Sequence, residues 1–577
     1  MKAVSLTHPE HSSLKRHPVN RKFSEDEACP KPSDRTVFLN SPAFVSSCFI
    51  FSPRVDLPQG SLCLAFDASL QFTSFAAVAS ACLLFTATTM RALLAFLVFG
   101  SLSASLLADA KPNIVYILAD DLGYGDVQCL NPARGKIKTP CLDKLAAESM
   151  TFTDAHSGSS VCTPTRYGVL TGRYAWRTRL QGGVLSGYDK PLIAADRLTV
   201  PGLLKQNGYH TAIIGKGHLG YTVEGGEKEG GGKEKKKGEG ATLGALTHDG
   251  PVTRGFDEFF GFHHARMMKS VFEKDRVTQI IEPVDILPAL VQRSSDYIAE
   301  RSKAAQPFFL YLALNSPHIP IVPSKEWQGQ SGLGDYADFV MQTDWAVGQV
   351  LAALDKAGVA NNTLLIFTSD NGCSPAAKVD KLQAQGHFAS AQFRGYKADI
   401  WDGGHRVPFF VRWPGRVKAA SQSNDLICHT DLMATCAAIL GTNLPDNAGE
   451  DSLSLLPALT GNATAPIHTA VVHHSISGRF AIRQGHWKLE FCPGSGGWGK
   501  PGDADAKKQG LPDLQLYDLS TDIGETTNVC SQNPGIAERL TLLLEQTIAN
   551  GRSTPGPNQA NDAPIIVNKP NTKPPTD

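Results

Sequence analysis

Two apolar runs in this chain end in paired oxygen donors. "NIVYILA" leads into Asp120 and Asp121, and "LLIFTS" leads into Asp370 and Asn371. Two further runs end in nitrogen: "TAIIG" is followed by Lys216 and His218, and "FFLYLALNSP" by His318. Three carboxylates and an amide suit a hard divalent cation, Ca²⁺ or Mg²⁺, with oxygen ligands at about 2.0–2.6 Å. One "ADDLG" alone reads as a turn with solvated acids; a second such strand end in the same chain favours the metal. The histidines could instead complete a zinc site. Oxygens outnumber them, and each follows its own strand, so they read as acid–base groups.

A cysteine supplies the other reactive feature. In "SSVCTPTRYGVLTGRYAWR", Thr163-Pro164 marks a helix start, with proline in the first turn where its missing N–H costs nothing. Cys162 then lies near the N-cap, where backbone N–H groups favour anions. Arg166, four residues on, shares that face. A thiolate is activated in such a place, which suits a nucleophile. A thiolate is also a soft ligand, mismatched to a cage of hard oxygens. The conflict implies that residue 162 does not act as cysteine.

Elements able to bring these groups together are legible from the pattern. Continuous apolar, β-branched runs alternate with helical stretches such as "CLDKLAAES" from Lys111 onward. That order predicts an α/β fold with a large, mixed, mostly parallel sheet covered by helices on both faces. Ligands in such sheets bind beyond the carboxyl ends of the strands, where the polar groups above fall. Asp335 to Gly358 has helical periodicity and a glycine stop. After "GNATAP" the segments "HTAVVHHS", "GRFAIRQGHWKLEF" and "LQLYDLSTDIGETTNV" read as short antiparallel strands, and a helix follows near Ile536 to Asn550. The expected division is a catalytic α/β domain over 111–465, a smaller C-terminal antiparallel-sheet subdomain over 466–553, and a Pro/Asn-rich disordered tail over 554–577. Residues 224–240, "EGGEKEGGGKEKKKGEG", read as a charged surface insertion that cannot bury apolar area.

The chain has 577 residues, 42% of them hydrophobic, and formal net charge +0. That is enough for a large core, and the neutral balance gives no electrostatic argument for nucleic acid. Residues 1–89 read as a disordered or spurious N-terminal extension, with Met90 a second candidate start beside Met1. Met90-Arg91, an apolar run and a small-residue end at Ala110 have the layout of a secretory signal over 90–110. The run is short for a membrane span, so the expectation is an exported protein, periplasmic or secreted, without a stable membrane partner. Export permits disulfides, but the sequence leaves their pairing open.

The stretch Cys162-Thr163-Pro164-Thr165-Arg166 followed by "YGVLTGR" resembles the signature of the formylglycine-dependent sulfatases, of alkaline-phosphatase-like fold. The resemblance extends over "PNIVYILADDLGYGD", "GYHTAIIGKGHLG", "RGFDEFFGF", "FTSDNG", "FRGYKADIWDGGHRVPFFVRWPG" and "LYDLSTDIGETTNV", in the family's order. It implies that a separate formylglycine-generating enzyme oxidises Cys162 to an aldehyde, whose hydrate offers hydroxyl oxygens to Ca²⁺ and removes the soft–hard conflict. By the same resemblance Asp120, Asp121, Asp370, Asn371 and modified Cys162 hold calcium. Arg166 and Lys397 stabilise the formylglycine oxygen and the sulfate, Lys216 and His318 bind sulfate and assist the leaving oxygen, and His218 deprotonates the second hydroxyl. The implied activity is hydrolysis of sulfate esters of aryl groups, sugars or glycans.

One position departs from the family. Gly217 stands in "GKGHLG" where the family usually has tryptophan, which loosens one wall of the pocket. His263, His264 and Arg266 in "GFHHARMMK", and His405, are candidates for the substrate pocket, with a solvated loop the competing reading for the first three. Two other functions stay open: a phosphonate monoester or phosphodiester hydrolase on the same scaffold, and a non-catalytic glycan-binding relative with Cys162 unmodified.

Overall fold

The computed structural model describes residues 111–186, 188–225, 240–570 and 574–576. The proposed extension, signal segment and most of the charged insertion lie outside the described residues. At the centre is a ten-stranded sheet. Its core strand, Asn113–Asp120, pairs in parallel with Phe308–Pro317 on one side and Thr363–Ser369 on the other. His210–Lys216 continues the parallel set beyond Phe308–Pro317, followed by Glu258–Phe262. Beyond Thr363–Ser369 come Phe409–Arg412, antiparallel to it, then Met150–Phe152, antiparallel again, and Ser421–Ser423, parallel to that strand; the antiparallel pair Ser270–Glu273 and Arg276–Ile280 forms the other edge.

The unbroken apolar run of the core strand follows from burial on both faces. Ile114, Tyr116 and Leu118 join one hydrophobic cluster, whereas Val115, Ile117 and Ala119 join another on the opposite face. Helices Cys162–Thr171, Val200–Gln206 and Leu432–Leu440 cover the first face. Helices Pro140–Ala147, Pro283–Arg301 and Asp335–Lys356 cover the second. The last of these stops two residues before Gly358, whose φ of 70° a side chain would resist.

A separate four-stranded antiparallel sheet follows in the order Ala470–His474, Phe480–Gln484, Trp487–Glu490 and Gln515–Asp518. Helix Pro534–Ala549 lays Ala537, Leu540 and Leu544 on its apolar face. The expectation of a disordered tail fails over 554–570. Asn561 and Asp562 accept hydrogen bonds from Arg177 and Arg173 at 3.0 Å, and Ile565 and Val567 pack on the small sheet. Proline and asparagine do exclude a regular element there, but buried arginines hold an irregular chain by side-chain bonds. Among the described residues no helix is long and apolar enough to cross a membrane.

Candidate active site

The carboxyl ends of the central strands bring the chemical groups together. Asp120 closes the core strand where its register with Phe308–Pro317 shifts. Asp121 follows with φ of 66°, a left-handed conformation that costs a non-glycine residue about 1 kcal/mol or more. Side chains fix it there: its N–H donates to Asp370 Oδ1 at 3.1 Å, and its carboxylate accepts from Asn371 Nδ2 at 2.8 Å. Asn371 is held in turn by a close backbone approach. Gly372 N donates to Gly404 O at 2.9 Å, and a Cβ on Gly372 would lie 1.9 Å from Gly403 O.

Cys162 is the first residue of helix Cys162–Thr171, as the Thr-Pro start implies. The helix is buried throughout and ends at Gly172 with φ of 64°. One turn in, Arg166 donates to Asp370 Oδ2 through Nη2 (2.7 Å) and Nε (3.1 Å), and to Lys216 O through Nη1 at 3.1 Å. Nη2 also lies 3.4 Å from Asp120 Oδ1. Lys216 Nζ donates to both oxygens of Asp120, at 2.7 and 3.0 Å. Lys397 Nζ reaches Asp121 at 2.9 Å, and His318 Nε2 lies 3.7 Å from the same carboxylate. None of these side chains is more than 3% exposed.

Three carboxylates thus meet three cations in a buried site. Burial raises the Asp120 carboxyl, but Lys216, then His318, Arg166 and Lys397 outweigh it and hold the group well below the usual range. Asp370 is raised to about 6, by burial first and then by the charge of Asp120. Burial opposes the charge on Lys216, yet Asp120 and Cys162 more than offset it and the ammonium is favoured. One atom stands apart: Asn371 Oδ1 is buried without a hydrogen-bond partner, while its Nδ2 donates to Asp121 and to Gly372 O. An orphaned acceptor costs about 1–3 kcal/mol, and a hard cation would satisfy it. Asp120, Asp121 and His318 also offer ligand atoms within 4.8 Å of one another. The donor set fits a hard divalent cation by its chemistry and by this unmatched oxygen.

His218 adopts φ of 52°, and its Nε2 faces Leu185 O at 2.8 Å. That contact places the proton on Nε2 and leaves Nδ1 as the basic atom. His264 meets the His218 ring edge-on with centroids 4.4 Å apart, and His263 lies 6.2 Å away. His263 is pushed down to about 3 by burial and then by Lys216. Arg266 is exposed on the surface. The structure does not bring His405 to the carboxylates; it lies fully buried beside His156 and His473. Gly217 has room for a side chain, with Phe262 O and Tyr221 Cε1 each 3.7 Å from a built Cβ.

Sequence reasoning missed a supporting network beneath Asp121. Tyr336 Oη donates to Asp126 Oδ2 at 2.5 Å and lies 3.3 Å from Asp121 O, while His387 Nε2 lies 2.8 Å from Asp126 Oδ1. Asp126 belongs to "DLGYGD" and could have been singled out; His387, 261 residues away, carries no local signal.

Residues 112–442 match the family model described as Sulfatase. An N-acetylgalactosamine-6-O-sulfatase of Bacteroides thetaiotaomicron is 32% identical over 75% of this chain and 93% of its own length. Arylsulfatase A of Homo sapiens is 31% identical over 77% and 89%. A solved structure from the Bacteroides thetaiotaomicron study of glycosaminoglycan metabolism superposes with a TM-score of 0.66 at 29% identity, covering 76% of this chain and 99% of that one. The large mixed sheet with its small antiparallel companion is therefore an alkaline-phosphatase-like fold. The matched family model spans the strand ends and the helix that carry the clustered side chains, and the chain belongs to the sulfatase family of sulfuric ester hydrolases.

Proposed function

We propose that this protein is an exported sulfatase that removes sulfate from a sulfated sugar or glycan, using calcium and a formylglycine made from Cys162. The observation that carries the reading is the convergence of Asp120, Asp121, Asp370 and an unpartnered Asn371 Oδ1 beside the Cys162 helix start. The sugar sulfatase named above supports the substrate class.

Asp120, Asp121, Asp370, Asn371 and the oxidised side chain of residue 162 would hold the ion. Calcium would supply Lewis acidity, and the hydrated aldehyde two hydroxyls, one to bond sulfur and one to drive release of sulfate. Arg166, Lys216 and Lys397 then offset negative charge on the sulfuryl oxygens. Ion pairs to Asp370, Asp120 and Asp121 keep these three cations beside the carboxylates. His318 contacts Ile319 O through Nδ1, which leaves Nε2 to protonate the departing ester oxygen. His218 takes a proton at Nδ1, since Nε2 is committed to Leu185 O. Closure of the site against solvent strengthens each of these charges.

The test is mass spectrometry of the peptide containing Cys162 from protein co-produced with a formylglycine-generating enzyme, paired with rates on matched aryl sulfate and aryl phosphonate esters. The expected result is a mass showing aldehyde in place of thiol, sulfate-ester turnover lost in Cys162→Ala, and a preference for sulfate. An unmodified thiol in fully active protein, or a preference for phosphonate, would overturn the proposal.

A further inference from the structure

A second cluster of metal-binding side chains lies apart from the carboxylates. His156 ends the short strand Ala155–His156, His405 ends the helical turn Asp402–His405, and His473 lies in strand Ala470–His474. All three are fully buried. Their ring centroids are 4.0, 4.9 and 5.1 Å apart. Each offers one nitrogen, and these three atoms lie within 4.8 Å of one another. Tetrahedral zinc with nitrogens at about 2.0–2.1 Å needs them roughly 3.4 Å apart.

Two observations point to an ion there. The outward nitrogens all face acceptors: His156 Nε2 lies 2.8 Å from Asp154 Oδ1, His405 Nε2 lies 3.0 Å from Ile400 O, and His473 Nδ1 lies 3.2 Å from Ser157 O. Metal-ligating histidines commonly donate their other N–H to a carboxylate or carbonyl, which fixes the tautomer and aims the lone pair inward. The second is His473 Nε2, which is buried without a hydrogen-bond partner. His156 Nδ1 and His405 Nδ1 lie 2.9 Å apart. With no ion, one of the two must carry the shared proton. Its outward nitrogen then gives up its acceptor and turns to Arg483 or Lys488, at 3.2 and 3.3 Å.

We propose that His156, His405 and His473 form a second metal site, for one transition-metal ion of the zinc class, with water in the fourth position. Three imidazoles select a borderline-soft ion of this kind over calcium. The shell contains Asp154, Asp402, Glu490 and Glu525 as well as Arg406, Arg483 and Lys488, so an added dication does not enter a purely cationic environment. The chief adjustment is a turn of the His473 ring out of its stack on His405, whose plane is 13° away. The ion would join three segments: the one entering Cys162, the one leaving Lys397, and the small sheet.

The experiment uses the full chain produced with zinc present, dialysed into calcium buffer, and assayed for metals by inductively coupled plasma mass spectrometry. Wild type is expected to retain about one zinc per chain, and His473→Gln about a tenth of that, with calcium unchanged. Added zinc should raise the melting temperature of stripped wild type but not of His473→Gln. His318→Gln, altered at the carboxylate site, should keep its zinc. Should His473→Gln fail to fold, stripping and restoring zinc in wild type and His318→Gln still decides the matter. The proposal is overturned if wild type holds no zinc and gains no thermal stability from it, or if zinc is lost from His318→Gln and kept by His473→Gln.

Discussion

Arg166 is the side chain whose removal the structure prices most directly. It is fully buried and makes three hydrogen bonds, two of them to Asp370 Oδ2 at 2.7 and 3.1 Å and one to Lys216 O at 3.1 Å. Arg166→Met leaves Asp370 without its nearest cation and weakens the balance at Asp120, 3.4 Å from Nη2. Breaking a buried pair from one side costs about 3–5 kcal/mol, because the remaining charge stays desolvated. Arg166→Lys keeps the charge but loses the fork, so about 1–3 kcal/mol is expected. Urea unfolding in the presence of a calcium chelator measures both. Repeating it in calcium should narrow the Met deficit, since the ion restores positive charge beside the same two carboxylates. Turnover should fall by about 10²-fold or more in Arg166→Met. A Met variant within about 1 kcal/mol of wild type in chelator would refute the reasoning: Asp370 would then be protonated or solvated, not ion-paired.

Three smaller perturbations test other parts of the structure. Gly172→Ala combines φ of 64° with a Cβ placed 2.8 Å from Met433 Cβ, so a loss of about 2–4 kcal/mol is expected by urea unfolding. His429 is pushed down to about 3 by burial and then by His156. Unfolded, it takes a proton near 6.5. Below that pH the unfolded state binds the extra proton, so His429 costs stability progressively from about pH 6.5 to about 3. His429→Gln lacks this term, and the stability gap between wild type and variant should shift in the variant's favour by about 2 kcal/mol between pH 7 and pH 5; a pH-independent gap would show the folded imidazole taking up its proton over the same range as the unfolded one. Gly217 has room for a Cβ, and Gly217→Trp is expected to change KM more than kcat; a collapse in kcat at constant KM would contradict that.

The apolar runs could be read because the interior of a strand buried on both faces must be apolar, as Ile114–Ala119 and Leu364–Phe367 are. Helix Asp335–Lys356 was legible for the complementary reason, its periodicity ending in Gly358. The carboxylate pairs stood out because polar groups at the ends of such strands have no packing role. Strand order was not legible: nothing local tells Asn113–Asp120 to lie between Phe308–Pro317 and Thr363–Ser369, some 190 and 250 residues on. Nor was the placement of His405. Its burial depends on His156 and His473, each on a different segment, so the one-dimensional signal was three isolated histidines. The ordered tail escaped for a similar reason, since its partners Arg173 and Arg177 lie nearly 400 residues upstream.

The choice of an amide at residue 371 follows from the charges around it. Asp120, Asp121 and Asp370 are matched by Lys216, Lys397 and Arg166, so the formal sum of the six is zero. A dication makes the site positive, which is what an anionic ester requires. A carboxylate at 371 would supply the same oxygen ligand but reduce that positive charge by one. It would also remove the N–H donated to Asp121 Oδ1 at 2.8 Å and set two like charges at hydrogen-bond distance. The left-handed backbone at Asp121 would lose one of the bonds that hold it. An amide donates with one arm to position Asp121 and leaves the other, an uncharged oxygen, available to a cation.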